Sequence, residues 1–256
     1  MIHHKTNLLN LLFLVTTLYV TAQSNLNKSF NYINKLYPNR EITSKYHNNW
    51  TQEHYKQRIK HFKSNPLKFG NIVFLGNSIT EQGRDWNEKF NSVGINNRGI
   101  AGDVTDGVLK RLDEITYYKP KTVFILIGIN DLFSLHYEDT DKRFKYIKMV
   151  PSTKYIAKNI LKISKEIRRK SSETIIYVRT ILPTRRSFLK DDIITTNNFI
   201  KAFESKGVYK VIDLYSEFVD SNGDLIKELT TDGVHLNEDG YEKWSAFEKT
   251  LINTFK

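Results

Sequence analysis

The 256-residue chain contains no cysteine, two methionines and only five prolines. Without cysteine there is no disulfide, no thiol nucleophile, no lipid attached through cysteine and no zinc site built from thiolates. Low-complexity segments and internal repeats are also missing. The composition, 39% hydrophobic and 26% charged, is that of an ordinary soluble globular protein. A chain of this length can bury a substantial core, and its stability must come from that core alone.

Acidic residues are too few to balance the basic ones: 28 Asp and Glu stand against 39 Lys and Arg, for a formal net charge of +11. Nucleic acid is the obvious partner for such a balance. The basic residues are scattered, however. Their one cluster lies on a predicted amphipathic helix, and we interpret it as the solvent-exposed face of that helix. The cluster comprises Lys162, Lys165, Arg168, Arg169 and Lys170. We therefore predict no nucleic-acid partner, with attraction to anionic polysaccharide or a membrane surface left open.

The amino terminus has the pattern of a signal peptide. A short polar, basic start (residues 3–5) precedes an apolar run over residues 8–20, which is too short to span a bilayer comfortably. Small residues then stand directly before Gln23, as at a signal-peptidase site. We predict a signal peptide over residues 1–22, hence a periplasmic or secreted protein with no stable membrane anchor after cleavage. An uncleaved anchor and a buried amino-terminal helix are the alternatives.

Residues 23–66 are polar and rich in aromatic side chains. Within them the stretch TQEHYKQRIKHFKSNP (residues 51–66) predicts a helix that Thr51 caps and Pro66 ends. Its apolar stripe consists of Tyr55, Ile59 and Phe62. We expect this amino-terminal helical extension to pack on a main domain formed by residues 67–256, either closing one side of a pocket or simply covering the sheet.

Apolar strands alternate with helices through the main domain. The predicted strands are residues 71–76, 93–99, 121–128, 174–182 and 209–215, and the predicted helices are about 106–115, 152–170, 196–205 and 238–255. The last helix is expected to present Tyr241, Trp244, Phe247, Leu251 and Ile252 on one side. This alternation predicts a parallel sheet covered on both faces, in a three-layer α/β/α sandwich of about five strands. Its functional loops should gather at the carboxyl ends of the strands.

The predicted strand ends carry the groups that acyl transfer to a serine requires: a hydroxyl, a base, a group that orients the base, and donors for the oxyanion. Ser78 supplies a hydroxyl, although a serine here could instead be a helix cap. His235 is the candidate base, and Asp232, three residues earlier, can orient its imidazole. Gly102 can bring a bare backbone N–H close to a substrate, and Asn130 offers a side-chain amide. Asn130 and Asp232 could alternatively be turn residues.

The stretches GNSIT, GIAGD, GIND and DGVH, in this order, resemble the four sequence blocks of the SGNH (GDSL-like) hydrolase family. The resemblance implies a flavodoxin-like α/β/α sandwich from about Ile72 onward, and serine esterase or lipase activity without a metal or organic cofactor. It implies Ser78 as the nucleophile, with Asp232 and His235 as its triad partners. The oxyanion hole would comprise the backbone N–H groups of Ser78 and Gly102 and the side chain of Asn130. The first block of the family usually reads Gly-Asp-Ser, and Asn77 here replaces an Asp that is not a triad member.

We interpret the other candidate residues as structural or leave their roles open. The histidines at 47, 54 and 61 are seven residues apart without an accompanying carboxylate or cysteine pattern, so we predict no metal site there. We assign no role to His136, although it could lie near a pocket. Gly99 is interpreted as a tight-turn glycine and Asp213 as a loop anchor. Three further residues could shape the pocket or be purely structural: Trp86, Arg98 and Asp103.

The sequence therefore predicts a serine esterase that hydrolyses a short acyl ester, acetyl in the first instance, of a polar small molecule such as an O-acetylated carbohydrate. A lysophospholipase or short-chain lipase of the same fold is the main alternative. A catalytically inactive member that binds glycans is the alternative from another class. The sequence does not assign the oligomeric state.

Overall fold

The computed structural model describes residues 33–38, 49–136 and 150–255. The predicted signal peptide, residues 1–22, lies outside the described residues, as does much of the predicted extension. The assignment of residues 1–22, and the export it implies, therefore stay predictions. Among the described residues, no helix combines the length and the apolar character needed to cross a bilayer.

Five parallel strands form one sheet in the order β2-β1-β3-β4-β5. They are β1 (Ile72–Gly76), β2 (Ile95–Gly99), β3 (Thr122–Leu126), β4 (Ile175–Arg179) and β5 (Lys210–Ile212). Gly76, the last residue of β1, pairs with Gly99 of β2 and with Leu126 of β3. The three strands therefore end level, and the loops that follow them emerge side by side. The order changes direction at β1, the kind of position where open α/β sheets bind ligands.

Ten α-helices lie wholly within the described ranges. They are α1 (Asn49–Ser64), α2 (Ser78–Gln82), α3 (Trp86–Phe90), α4 (Thr105–Leu109), α5 (Asp113–Tyr118), α6 (Ile129–Leu135), α7 (Thr153–Lys170), α8 (Lys190–Phe203), α9 (Leu214–Phe218) and α10 (Glu238–Asn253). Helices α3 and α10 pack on each other, whereas α4, α5 and α8 pack around α7. The predicted α/β/α sandwich with five parallel strands is confirmed.

The layer that contains α3 and α10 is built on aromatic rings. The ring of Phe74 in β1 lies 5.0 Å from Trp86, and Trp86 lies 4.9 Å from Trp244 of α10. Arg179 is fully buried among these rings and binds both carboxylate oxygens of Glu248, at 2.8 and 2.6 Å. Trp86 is thus a core residue, which answers the question that its sequence position left open.

Two predicted helical features are wrong. The single helix expected at 106–115 is two short helices, because the chain between them turns the side chain of Arg111 into the strand ends. Phe247, expected on the buried side of the last helix, is 42% exposed. The inward position next to it belongs to Glu248, the partner of Arg179.

The predicted bounds also differ from the observed ones. The fourth and fifth strands are shorter than the apolar runs that predicted them. The fifth is limited by helix α9, which begins at Leu214. Helix α8 begins at Lys190, six residues before the predicted start. Thr51 does not cap α1, which begins at Asn49; instead Thr51 is buried.

The basic cluster on α7 is exposed, as expected for a solvated face. Two of its residues form ion pairs with nearby carboxylates: Arg169 binds Glu166, and Lys170 lies 3.2 Å from Asp113. Arg168 donates to the backbone carbonyl of Thr174. The absence of a nucleic-acid partner stays a prediction.

Candidate active site

Ser78 lies immediately beyond β1, at the first residue of helix α2. The residue that caps α2 is Asn77, whose side-chain oxygen accepts the backbone N–H of Ile79 at 3.0 Å. The interpretation of Ser78 as the helix cap is therefore wrong. Because Asn77 performs the capping, the hydroxyl of Ser78 is free to point elsewhere, and its Oγ lies 2.9 Å from Nε2 of His235. As the first residue of the helix, Ser78 also has a backbone N–H without an intrahelical acceptor.

Asp232 orients the imidazole of His235. Its Oδ2 lies 2.8 Å from Nδ1 of His235, while its Oδ1 accepts the backbone N–H groups of Val234 at 2.9 Å and of His235 at 2.8 Å. Partial burial alone would raise the pKa of Asp232, but these hydrogen bonds outweigh it and hold the pKa below the ordinary value. The carboxylate is therefore charged at neutral pH and can stabilise a protonated imidazole.

The loop that carries Asp232 and His235 is fastened on two sides. Thr230 donates its hydroxyl to the carbonyl oxygen of His235 at 2.6 Å, closing the loop on itself. Arg185, from the segment after β4, donates its backbone N–H to the carbonyl oxygen of Gly233 at 2.7 Å. These contacts lie close to the base, so they restrict where its ring can go.

The segment Gly99–Asp103 begins at the last residue of β2 and lies beside helix α2. We call it the oxyanion loop because it contains Gly102, the predicted oxyanion donor. Gly102 has a φ of +81°, a left-handed backbone conformation that residues other than glycine rarely adopt. A Cβ at this position would lie 2.3 Å from Cγ2 of Thr51 in helix α1. Both the backbone conformation and the close packing thus require glycine here. The close approach of α1 to this loop was not predicted from the sequence.

Asn130 lies in the first turn of α6, just beyond β3, and is 8% exposed. Its Nδ2 donates to the backbone carbonyl oxygen of Asp103 at 2.8 Å. A primary amide carries two N–H groups, so the second one remains available to a substrate oxygen. The structure therefore brings Asn130 to the same edge of the sheet as Ser78 and the oxyanion loop.

A buried ion pair holds the oxyanion loop to the sheet. Nε of Arg111 donates to Oδ2 of Asp103 at 2.8 Å. The other two nitrogens of this guanidinium donate to the carbonyl oxygens of Arg98 at 2.9 Å and of Gly76 at 3.0 Å. Arg111 thus joins the ends of β1 and β2 to the loop. Sequence reasoning missed Arg111, since an arginine inside a predicted helix gives no local sign of such contacts.

Asp131, next to Asn130, is completely buried. Thr105 donates its hydroxyl at 2.6 Å and its backbone N–H at 3.0 Å to the carboxyl group. Burial raises the pKa of Asp131 to about 7, although the hydrogen bonds from Thr105 act in the opposite direction. Together with the Asn130 contact, this pairing fastens the start of α4 to the start of α6.

Glu81 of α2 is a second residue that sequence reasoning missed. Its Oε2 accepts the backbone N–H of Ala101, in the oxyanion loop, at 2.6 Å. It also lies 3.0 Å from Nε2 of His54 in α1. The sequence around His54 shows no carboxylate pattern, and the carboxylate that binds it comes from a helix that is distant along the chain.

The remaining sequence candidates lie apart from the hydroxyl of Ser78. His136 pairs with Asp192, and Arg98 binds Glu114 with two short hydrogen bonds. Asp213 anchors its loop, as predicted, by accepting hydrogen bonds from Lys201, Ser216 and Thr180. Within the described ranges, no three His, Asp or Glu side chains gather closely enough to hold a metal ion.

A Ser–His–Asp relay at the carboxyl edge of a parallel α/β/α sandwich is the arrangement of a serine hydrolase, a class that includes esterases and proteases. Residues 74–243 match the sequence model of the GDSL-like Lipase/Acylhydrolase family. The chain belongs to this family, and it is a carboxylic ester hydrolase.

Three individual relatives illustrate the range of the similarity. The chain is 27% identical over 180 residues to platelet-activating factor acetylhydrolase IB subunit alpha2 of Rattus norvegicus, covering 67% of this chain and 71% of that protein. It is also 27% identical over 177 residues to N-acylneuraminate cytidylyltransferase of Escherichia coli, covering 66% of this chain but only 37% of that longer protein. A GDSL-like lipase structure from Bacteroides thetaiotaomicron superposes with a TM-score of 0.63 at 23% identity, covering 78% of this chain and 97% of that one. This last likeness concerns the fold.

Proposed function

We propose that the protein is a serine esterase that removes a short acyl group, acetyl in the first instance, from a polar substrate such as an O-acetylated carbohydrate. The observation that carries this proposal is the unbroken relay from Ser78 Oγ to His235 Nε2, at 2.9 Å, and from His235 Nδ1 to Asp232 Oδ2, at 2.8 Å. Such a relay is the arrangement that activates a serine hydroxyl for attack on an ester carbonyl.

In the first half of the reaction, Ser78 Oγ attacks the carbonyl carbon while its proton passes to Nε2 of His235. The negative charge moves to the carbonyl oxygen, which the backbone N–H groups of Ser78 and Gly102 and the amide of Asn130 stabilise. Asp232 stabilises the positive imidazole. The tetrahedral intermediate then collapses: the bond to the alcohol oxygen breaks, and His235 returns the proton to the departing alcohol.

In the second half, the acyl group is bound to Ser78 as an ester. Water attacks its carbonyl carbon while His235 takes a proton from the water, and the same donors stabilise the second oxyanion. Collapse releases the carboxylic acid and returns the proton to Ser78. The chemistry is complete with these side chains, and we propose no metal or organic cofactor.

Burial around the nucleophile supports a small acyl group. Ser78 is 7% exposed and Asn130 is 8% exposed, so both side chains leave little surface to a substrate, which favours a small acyl group. The relative from Rattus norvegicus is by name an acetylhydrolase, which also favours acetyl. Export through the predicted signal peptide, over residues 1–22, would bring the enzyme to polysaccharides outside the cell.

The test compares the purified protein with its Ser78→Ala variant on nitrophenyl acetate and nitrophenyl octanoate. We expect acetate to be cleaved with the higher kcat/KM and the variant to lose activity on the order of a thousandfold or more. A preference for octanoate would move the substrate to lipids, as a lysophospholipase or short-chain lipase requires. Equal rates for the protein and its variant on both esters would contradict the serine mechanism and favour an inactive, glycan-binding role.

A further inference from the structure

Helix α1 lies outside residues 74–243, which match the family, yet one face of it packs against the active site. Thr51 contacts Gly102 so closely that no Cβ fits there. One and two turns further along, Nε2 of His54 binds Glu81 and Nε of Arg58 donates to the carbonyl oxygen of Gly99 at 3.1 Å. Residues spaced in this way share one face of a helix. That face covers the oxyanion loop.

His54 is held in a fixed orientation. Its Nε2 lies 3.1 and 3.0 Å from the two carboxylate oxygens of Glu81. The same carboxylate accepts the backbone N–H of Ala101 at 2.6 Å. The imidazole is therefore fixed relative to the oxyanion loop by a single shared carboxylate.

Trp50 stacks on this imidazole. The two ring centroids are 5.2 Å apart and the ring planes differ by 2°. Trp50 is nevertheless 56% exposed, so much of its indole faces solvent. Its Cζ3 lies 3.8 Å from the place where a Cβ on Gly102 would be. An exposed aromatic surface that stacks on His54 thus lies beside one of the proposed oxyanion donors.

We propose that Trp50 is the binding surface for the alcohol part of the ester, and that this alcohol is a sugar whose ring packs its C–H face on the indole. The inference rests on the proposed esterase function. In this proposal the small acyl group lies next to the buried Ser78 and Asn130, and the bulkier alcohol extends toward solvent, past Gly102 to the exposed Trp50. Aromatic rings provide large apolar contact areas in ligand sites, and stacking on one face of a sugar leaves its hydroxyls in water.

Phe69 provides a matched control. It is 65% exposed, and it packs beside Tyr117 and Tyr118, with ring centroids 5.8 and 5.4 Å away. These residues precede β1 and β3, so they lie at the amino edge of the sheet, opposite the active site. Loss of the Phe69 ring removes a comparable exposed aromatic surface without approaching the oxyanion loop.

The experiment measures kcat/KM for a 6-O-acetylated methyl glucoside and for ethyl acetate, whose alcohol is too small to stack. We expect Trp50→Ala to lower the ratio of the first value to the second by about three- to tenfold, the range that aromatic contacts provide. Trp50→Phe should preserve most of the ratio, and Phe69→Ala should leave it within about twofold of the original. Thermal melting of each variant reports whether the fold is intact.

A second measurement does not depend on turnover. Calorimetric titration of the acetylated glucoside into the Ser78→Ala variant should show weaker binding, by the same factor, when Trp50→Ala is added. If Trp50→Ala lowers kcat/KM equally for both esters and leaves this binding unchanged, the proposal is overturned. If ethyl acetate is cleaved in a Ser78-dependent reaction and the glucoside is neither cleaved nor bound, the sugar is wrong and the esterase function stands. If neither ester is cleaved in a Ser78-dependent reaction, the proposed function itself is overturned.

Discussion

The side-chain amide of Asn130 donates a hydrogen bond to the backbone carbonyl oxygen of Asp103 across 2.8 Å. This contact joins helix α6 to the oxyanion loop, both of which carry proposed oxyanion donors, so that a shift of one is transmitted to the other. The carboxylate of Asp103 is in turn held by Arg111. Arg111 touches neither Ser78 nor the proposed position of the substrate, and its expected role is to position the donors.

Substitution of Arg111 tests that role. Arg111→Lys keeps the positive charge, but an ammonium group cannot reach Asp103 and the carbonyl oxygens of Arg98 and Gly76 together, as the guanidinium does. We expect kcat for nitrophenyl acetate to fall by about tenfold or more, with KM changed by less than about threefold.

The control for Arg111→Lys is Arg179→Lys. Arg179 is equally buried and also binds a carboxylate, that of Glu248, but it lies among the aromatic rings under α10. We expect this variant to lower the melting temperature without lowering kcat of the folded protein. If both variants reduce kcat only in proportion to the fraction unfolded, Arg111 has no positioning role.

Glu81 is expected to position the oxyanion loop through the backbone N–H of Ala101. Glu81→Gln keeps an acceptor for this N–H, whereas Glu81→Leu removes it and leaves a partly buried donor unpaired. Steady-state kinetics with nitrophenyl acetate should show a loss in kcat of about tenfold for Leu and a much smaller one for Gln. Equal losses in the two variants would mean that the negative charge, and not the hydrogen bond to the loop, is what matters.

Asp232→Asn should remove the negative charge opposite the imidazole while keeping the shape of the side chain. An asparagine amide facing Nδ1 of His235 favours the wrong tautomer of the ring, and we expect kcat to fall on the order of 10³–10⁴.

In the unmodified protein, hydrogen bonds from His235 and the backbone outweigh burial and lower the pKa of Asp232 below 3.8. The contribution of ionised Asp232 to folding stability is therefore present above pH 3.8 and is lost as the pH falls through the lowered pKa.

The pH dependence of kcat checks that Asp232 is ionised in the folded protein. From about pH 5 upward, Asp232 should stay ionised and contribute no inflection of its own. The exposed Asp239→Asn variant on α10 serves as the control, because it should retain nearly full activity throughout. Retention of more than a tenth of kcat in Asp232→Asn would argue against its place in the triad.

For Asp131 we predict the opposite dependence of folding stability on pH. Burial raises the pKa of Asp131 in the folded protein to about 7, from an ordinary value of 3.8. Between these values the folded protein binds the proton more tightly than the unfolded chain does. The contribution of Asp131 to stability is thus full below about pH 4 and falls as the pH rises through about 7.

Urea unfolding at pH 5 and pH 8, for the protein and for Asp131→Asn, checks this. The free energy of unfolding of the protein, relative to the variant, should fall by about 2 kcal/mol between the two pH values. Asp113→Asn, which removes an exposed carboxylate, should show no such change relative to the protein. A difference that is constant with pH would show that Asp131 does not change its protonation in this range.

The residues of the proposed triad and oxyanion hole could be chosen from the sequence because of their positions relative to the predicted strands and helices. Ser78, Gly102 and Asn130 stand just beyond predicted strands, and parallel strands place all such positions at one edge. Asp232 and His235 precede a helix with a clear apolar stripe. Their residue types, together with their order along the chain, were sufficient for the proposed chemistry.

Residues that act through tertiary contacts gave no comparable sign. Arg111 reads as an ordinary helical arginine, and the partnership of His54 with Glu81 joins residues 27 positions apart. The question raised by Ser78 also needed the structure, since either Asn77 or Ser78 could cap a helix and only the geometry shows which one does.

The sequence by itself determined the alternation of strands and helices and the order of the reactive residues, because both depend on local periodicity and residue type. Tertiary structure alone decided that α1 covers the oxyanion loop, that Trp50 lies beside Gly102 and that Arg111 joins the ends of β1 and β2. These relationships depend on which loops come into contact when the sheet forms and its helices pack on it. Such contacts depend on the packing of the whole core and leave no periodic pattern in the sequence.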